Sequence, residues 1–250
     1  MAARKGGHVM PDPIDLSRIR ALTWDIGGTV FDWHHTIRDE VAALAAARGA
    51  DVDPARFANT WRRRMFQELA RVRSGDLPWM NADQIHRALL DELAAQHPSL
   101  ELTPSDRDAL NGVWHRLAAW PDAAEALRRL RTRYTVVVLT VLSTAIAVDC
   151  SKHNGIEWDG IISCEFLGHY KPDRDAYLGG LRLLGVEPEQ AMMCAAHHRD
   201  LRAAMAAGLR SAYVPRPGES GEGADRDLSP QPDFDVNARD FTDLADQLLA

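Results

Sequence analysis

Asp25 closes a short apolar run, Ile19-Arg20-Ala21-Leu22-Thr23-Trp24, and is followed at once by Ile26-Gly27-Gly28-Thr29-Val30. A carboxylate at the C-terminal end of a strand faces the crevice in which open α/β sheets bind their ligands. A carboxylate placed there can act as a nucleophile. The paired glycines allow a sharp turn and a close approach of backbone to substrate. Three further groups stand where apolar runs end: Thr140 after Val136-Val137-Val138-Leu139, Lys171 in Gly168-His169-Tyr170-Lys171-Pro172-Asp173, and Asp200 in Cys194-Ala195-Ala196-His197-His198-Arg199-Asp200. Read singly they are a strand threonine, a turn lysine and a helix-capping aspartate. Together, in this order, they predict one site.

Positioning these groups requires strands that end side by side. Residues 19–25 and 134–142 are β-branched, apolar runs of the kind buried on both faces in parallel sheets. Shorter runs follow at 160–164, 191–195, 211–214 and 234–236. Helical patterns fall between and after them, at 123–132, 145–153, 174–184, 201–207 and 240–249. Strand alternating with helix is the βαβ signature, so the expected fold is α/β, a doubly wound parallel (Rossmann-like) sheet.

Residues 36–118 interrupt that rhythm. They are helical in pattern, rich in Ala, Leu and Arg, with turns expected at 49–51, 74–78 and 98–99. Pro121 suits the first turn of a returning helix. The predicted organisation is a flexible N-terminus at 1–16, a catalytic core at 17–35 and 119–250, and an all-helical cap subdomain at 36–118. An insertion after the first strand would sit over the crevice. Residues 215–233, rich in Pro, Gly and Ser, read as a surface loop.

The balance of the chain fits this picture. Its 250 residues suffice for a sizeable core. A net charge of -7 argues against nucleic acid as a partner, because phosphate backbones need a basic face. Cys150, Cys164 and Cys194 are odd in number and widely spaced, which disfavours a disulfide framework and reads as reduced thiols in the cytoplasm. Residues 1–13 lack the apolar stretch of a signal peptide, and the apolar run at 135–148 is too short to span a membrane.

On these motifs the chain resembles the haloacid dehalogenase superfamily, and within it the 2-haloacid dehalogenase-like (type II) branch, over residues 17–250. The resemblance rests on Trp24-Asp25-Ile26-Gly27-Gly28-Thr29-Val30-Phe31-Asp32, Leu139-Thr140, the segment 168–173 and the segment 195–200. It implies that Asp25 attacks the halogen-bearing carbon of a small carboxylic acid, with Lys171 keeping it ionised. Water then opens the ester while Asp200 activates that water or holds Lys171. Thr140 stands where the branch binds the substrate carboxylate with serine. Arg62, in Trp61-Arg62, matches the cap arginine that reaches the substrate and halide, and Tyr177 matches an active-site tyrosine. Thr29, Val141 and His197 complete the expected substrate contacts, with backbone amides near Gly28 or Leu142 as oxyanion donors. A homodimer is also implied.

Departures from the family pattern concern the shape of the pocket. Val141 replaces the usual Asn after the strand hydroxyl, His197 replaces an Asn, Arg199 replaces a large aromatic, and Gly27 replaces a bulky residue. The alternatives are a magnesium-dependent phosphatase on the same fold and a catalytically silent binding protein. A phosphatase needs a second acid two residues after the nucleophile and a carboxylate cluster for its metal. Here those places hold Gly27 and, four residues before Asp200, Ala196. No metal and no cofactor are therefore expected.

Overall fold

The computed structural model describes residues 15–222 and 227–250. The flexible segment expected at 1–16 thus lies, up to residue 14, outside the described residues, as do 223–226 of the expected surface loop. The first strand, β1 (Ala21–Trp24), is buried throughout, and Thr23 is accommodated because its hydroxyl donates to the Met192 carbonyl at 3.3 Å. The chain then turns through Gly28 at a φ of +94°, in the left-handed region open to glycine. Gly28 N–H donates to the Phe31 carbonyl across this turn.

β2 (Phe31–Asp32) leads directly into α1 (Trp33–Arg48), whose first turn is capped by the Asp32 carboxylate accepting from His35 N–H. α2 (Pro54–Ser74) starts behind the Asp53 cap and buries Phe57, Trp61, Met65, Leu69 and Val72, a stripe at helical spacing. α3 (Ala82–Gln96) and α4 (Pro104–Asn111) each begin with a reciprocal capping box, Asn81 with Gln84 and Thr103 with Asp106. The chain returns through β3 (Ala118–Ala119), which pairs antiparallel with β2, so the insertion's entry and exit are tied together.

Beyond that tie come α5 (Ala123–Leu130), β4 (Thr135–Thr140), α6 (Thr144–His153), β5 (Gly160–Ser163) and α7 (Arg174–Leu184). β6 (Ala191–Ala195), α8 (His198–Ala206), β7 (Arg210–Tyr213), β8 (Val236–Asn237) and α9 (Phe241–Leu249) complete the chain. Six strands form one parallel sheet in the order β5-β4-β1-β6-β7-β8. β1 lies in its middle, with β4 on one side and β6 on the other. The crossovers leave β1 in opposite directions, which opens the crevice at its C-terminal end.

Alternate residues of the central strands feed two cores. Leu22, Trp24, Val136, Val138, Met192 and Cys194 belong to one that continues into the insertion through Trp61 and Trp114. Leu139, Met193 and Tyr213 belong to the other. Trp24 meets Phe241 edge-on at 4.8 Å between ring centroids, an anchor worth about 2 kcal/mol in burial. Among the described residues no helix is long and apolar enough to cross a membrane.

Two expectations need correction. The helix expected at 201–207 starts at His198, one turn earlier, with His197 as its N-cap residue. Asp200 therefore stands in the first turn of α8, where the helix dipole favours a carboxylate. The segment after β7 is also no simple surface loop. Arg216 and Glu219 are buried at 7% and 4% exposure. Arg216 Nε donates to the Thr29 carbonyl and Nη1 to Asp122, folding the segment back onto the turn after β1.

Candidate active site

Asp25 emerges from β1 with its backbone N–H bound to the Cys194 carbonyl, and its side chain is almost fully buried. Its two oxygens have different company. Oδ2 accepts from Thr29 Oγ1 at 2.8 Å and faces His197 Nδ1 at 3.1 Å, whereas Oδ1 has Lys171 Nζ at a longer 3.4 Å. Thr29 Oγ1 accepts in turn from Ala196 N–H at 3.0 Å, which directs the hydroxyl proton to Asp25. Burial alone would raise the carboxyl pKa. Lys171, His197 and Thr29 together outweigh it and hold the group well below the usual carboxylate range. Asp25 is an anion at any physiological pH.

Lys171 is buried beside it and donates to Asp200 Oδ2 at 2.9 Å. Burial works against its charge, but Asp200 and Asp25 raise its pKa, so the ammonium is permanent. Asp200 Oδ1 accepts from the Tyr177 hydroxyl at 2.6 Å. Tyr177, expected among the substrate contacts, is fully buried and does not line the cavity. It holds the residue that holds the lysine. Thr29 is likewise buried behind Asp25 rather than exposed to a ligand.

The opposite side of Asp25 carries a second cation and carboxylate. His197 Nε2 lies 3.0 Å from Glu219 Oε1, which also accepts from Trp33 Nε1 at 3.1 Å. Burial would lower the imidazole pKa, but Glu219 and Asp25 push it up to about 10. Glu219 reaches this position only because residue 28 lacks a side chain. A Cβ there would stand 2.1 Å from its Oε1.

A cavity of about 380 Å³ opens above Asp25, large enough for a small acid. Lys171, Asp200 and His197 form its floor with Asp25, and Thr140, Val141 and Leu142 form a wall. The roof comes from α2, as Arg62, Phe66 and Leu69. Arg62 Nη2 donates to the Gly27 carbonyl at 2.9 Å, and its guanidinium lies 4.5 Å from the Phe66 ring centre. Arg63 is exposed and Arg64 pairs with Glu92, so the three consecutive arginines have different surroundings. A Cβ at Gly27 would come within 3.0 Å of Arg62 Nη2. Thr140 Oγ1 accepts from Leu142 N–H at 3.1 Å, leaving its proton available to an anion. The amides of Gly28 and Leu142, considered as oxyanion donors, are both engaged within the protein.

The structure thus brings Asp25, Lys171, Asp200, Thr140, Val141, Arg62 and His197 to one cavity, with Thr29 and Tyr177 directly behind it. Sequence reasoning missed Glu219 and Trp33. Glu219 sits in Arg216-Pro217-Gly218-Glu219-Ser220-Gly221, whose Pro and Gly signal only a loop, and no local periodicity marks its carboxylate as buried. Among the described residues no group of three or more His, Cys, Asp and Glu side chains converges so as to hold a metal ion.

The family model for haloacid dehalogenase-like hydrolases matches residues 19–208. The (S)-2-haloacid dehalogenase 4A of Burkholderia cepacia is 28% identical over 211 residues, 82% of this chain and 86% of that protein. Two solved structures, the L-2-haloacid dehalogenase PA0810 and the defluorinating L-2-haloacid dehalogenase Rha0230, are each 37% identical and superpose with TM-scores of 0.88. The first alignment covers 92% of this chain and 99% of the other, the second 93% and 96%.

Proposed function

The chain belongs to the haloacid dehalogenase-like hydrolases, and on that premise we propose that it cleaves the carbon–halogen bond of a short 2-haloalkanoic acid. In this reading Asp25 displaces halide from the α carbon to give a covalent aspartyl ester. Water then attacks the Asp25 carbonyl carbon and releases a 2-hydroxy acid. The observation that carries the reading is a buried, permanently ionised Asp25 set between two cations beneath an arginine-roofed cavity. Such a site attracts an anionic substrate and presents a desolvated nucleophile to it.

The roles follow from the contacts. Oδ2 already accepts from two groups, so Oδ1, with its single longer contact, has a lone pair left for attack on carbon. Lys171 fixes the orientation of Oδ1, and Asp200 with Tyr177 fixes Lys171. Thr140 and Arg62 receive the substrate carboxylate and the departing halide. The planar, permanently charged fork of Arg62 suits either. Val141 and Leu142 pack on the alkyl part of the acid. Halide leaves without a proton, so the glycine at position 27 costs this chemistry nothing.

The test is halide release from 2-chloropropionate and fluoroacetate by ion chromatography, beside phosphate release from aryl phosphates with Mg²⁺. A single turnover in H₂¹⁸O should give unlabelled 2-hydroxy acid, since Oδ1 leaves with the product. Label in that first product would mean direct attack by water and no ester. Phosphate release without halide release would assign the site to phosphoryl transfer.

A further inference from the structure

Resting on the ester reading above, we propose that His197, oriented by Glu219, is with Thr29 the oxyanion-stabilising pair for hydrolysis of the Asp25 ester. The geometry points to it through the unequal oxygens of Asp25. If Oδ1 is alkylated, Oδ2 becomes the ester carbonyl oxygen, and it already has Thr29 Oγ1 at 2.8 Å and His197 Nδ1 at 3.1 Å. Donors preset on the atom that gains charge are the arrangement that lowers the barrier to acyl-type hydrolysis. The backbone amides nearest the site do not compete for this role, since Gly28 N–H donates to Phe31 and Leu142 N–H to Thr140.

Glu219 matters because ester formation removes a charge. In the resting enzyme His197 lies between Asp25 and Glu219, two anions. Once Asp25 is an ester, only Glu219 remains in contact to keep the imidazole protonated. Lys171 stands across Asp25, Arg62 and Arg199 line the same cavity, Asp200 holds Lys171, and Arg216 lies behind Glu219. The neighbouring cations oppose a charged imidazole, so the glutamate is the group that sustains it. Trp33 and the bare face of Gly28 hold Glu219 in place.

A lone pair of water forms the bond to Cγ, the carbonyl π pair moves to Oδ2, and the water proton passes to Asp200. The Oδ2 pair then re-forms the carbonyl, the Cγ–Oδ1 bond breaks, and the departing oxygen takes the proton from Asp200. The new Asp25 carboxyl ionises to solvent, which completes the release of one halide and one proton per substrate. His197 keeps its proton throughout as a donor to Oδ2.

Rapid-quench reaction of wild type, Glu219→Gln and His197→Asn with 2-chloropropionate, read by intact-protein mass and chloride release, tests the assignment. In both variants ester decay should slow about tenfold or more, a larger loss than in release of the first chloride, so that alkylated protein accumulates. In Glu219→Gln the decay should fall as pH rises past the ordinary imidazole pKa of about 6.5, while wild type stays level to well above pH 8. Asn donates without titrating, so decay in His197→Asn should be slow and level across that range. Ester decay that instead rises with pH in Glu219→Gln would make His197 a base and overturn the proposal, as would unaltered decay in either variant. Chloride release with no adduct in any of the three proteins would overturn the ester itself, which is a different failure.

Discussion

Asp25 has two flanks of the same composition, a cation backed by a carboxylate, and they differ in kind. On one side Lys171 is backed by Asp200, and Tyr177 backs that pair from α7. On the other His197 is backed by Glu219, and Trp33 backs it from α1. The lysine flank carries a charge fixed at every working pH. The histidine flank carries a charge that exists only while its carboxylates surround it. In the proposed reaction one flank serves the step that needs Asp25 as an anion, and the other the step that needs charge received on Asp25.

The comparison breaks most simply at its centre. Asp25→Asn removes the proposed nucleophile at almost constant volume, and turnover should fall about a thousandfold or more with the melting temperature little changed. Halide release and a thermal melt check this. A variant retaining more than a few per cent of activity would dissolve the distinction between the flanks, because neither would then act on a nucleophile.

Lys171→Met tests the permanent flank. Turnover should drop on the order of a hundredfold, and raising the pH should not restore it. The chloride burst itself should be slowed, in contrast to the burst expected for the histidine-flank variants. A cation outside both flanks sharpens the contrast. Arg62→Lys should lower kcat/KM for a haloacid roughly tenfold, about 1.4 kcal/mol, through loss of its planar fork. Arg63→Lys and Arg64→Lys should change it little. Equal, small effects at all three would take Arg62 out of the site.

The smallest effect is on stability. His197 has its folded pKa raised from 6.5 to about 10, so its contribution is fully present below pH 6.5 and is lost as pH rises through about 10. The stability gap between wild type and His197→Asn, from denaturant melts, should therefore narrow between pH 6.5 and 10. A gap that stays level across that range would mean that His197 folds uncharged.

The two flanks were also unequally legible in the sequence. Asp25, Lys171 and Asp200 follow strands, and the strand pattern itself places them at one crevice. Strand positions were read to within a residue or two, since β1, β4 and β6 are buried on both faces and admit almost only apolar residues. Arg62 is legible only through the family resemblance of Trp61-Arg62, because helical spacing does not put consecutive residues on one face. Glu219 could not. Its burial depends on a chain reversal after β7, on the missing Cβ of Gly28 and on the indole of Trp33, a contact spanning 186 residues. Tyr177 is legible as a site residue through the same resemblance, which does not give its hydrogen-bond partner Asp200 on another helix.

Gly27 has a consequence for how this enzyme could change over generations. The glycine codons GGU and GGC differ by one nucleotide from an aspartate codon, so from either of them the second acid of a phosphatase is a single mutation away. The first carbon of any side chain there would meet Arg62 Nη2 at 3.0 Å, and a carboxylate would be held by that guanidinium instead of facing a leaving group. Gly27→Asp should accordingly lose dehalogenation without gaining Mg²⁺-dependent phosphate release, an outcome that the paired assay reads directly. The lineage would have to give up Arg62 before that aspartate became useful, and the route between the two chemistries passes through a protein that performs neither.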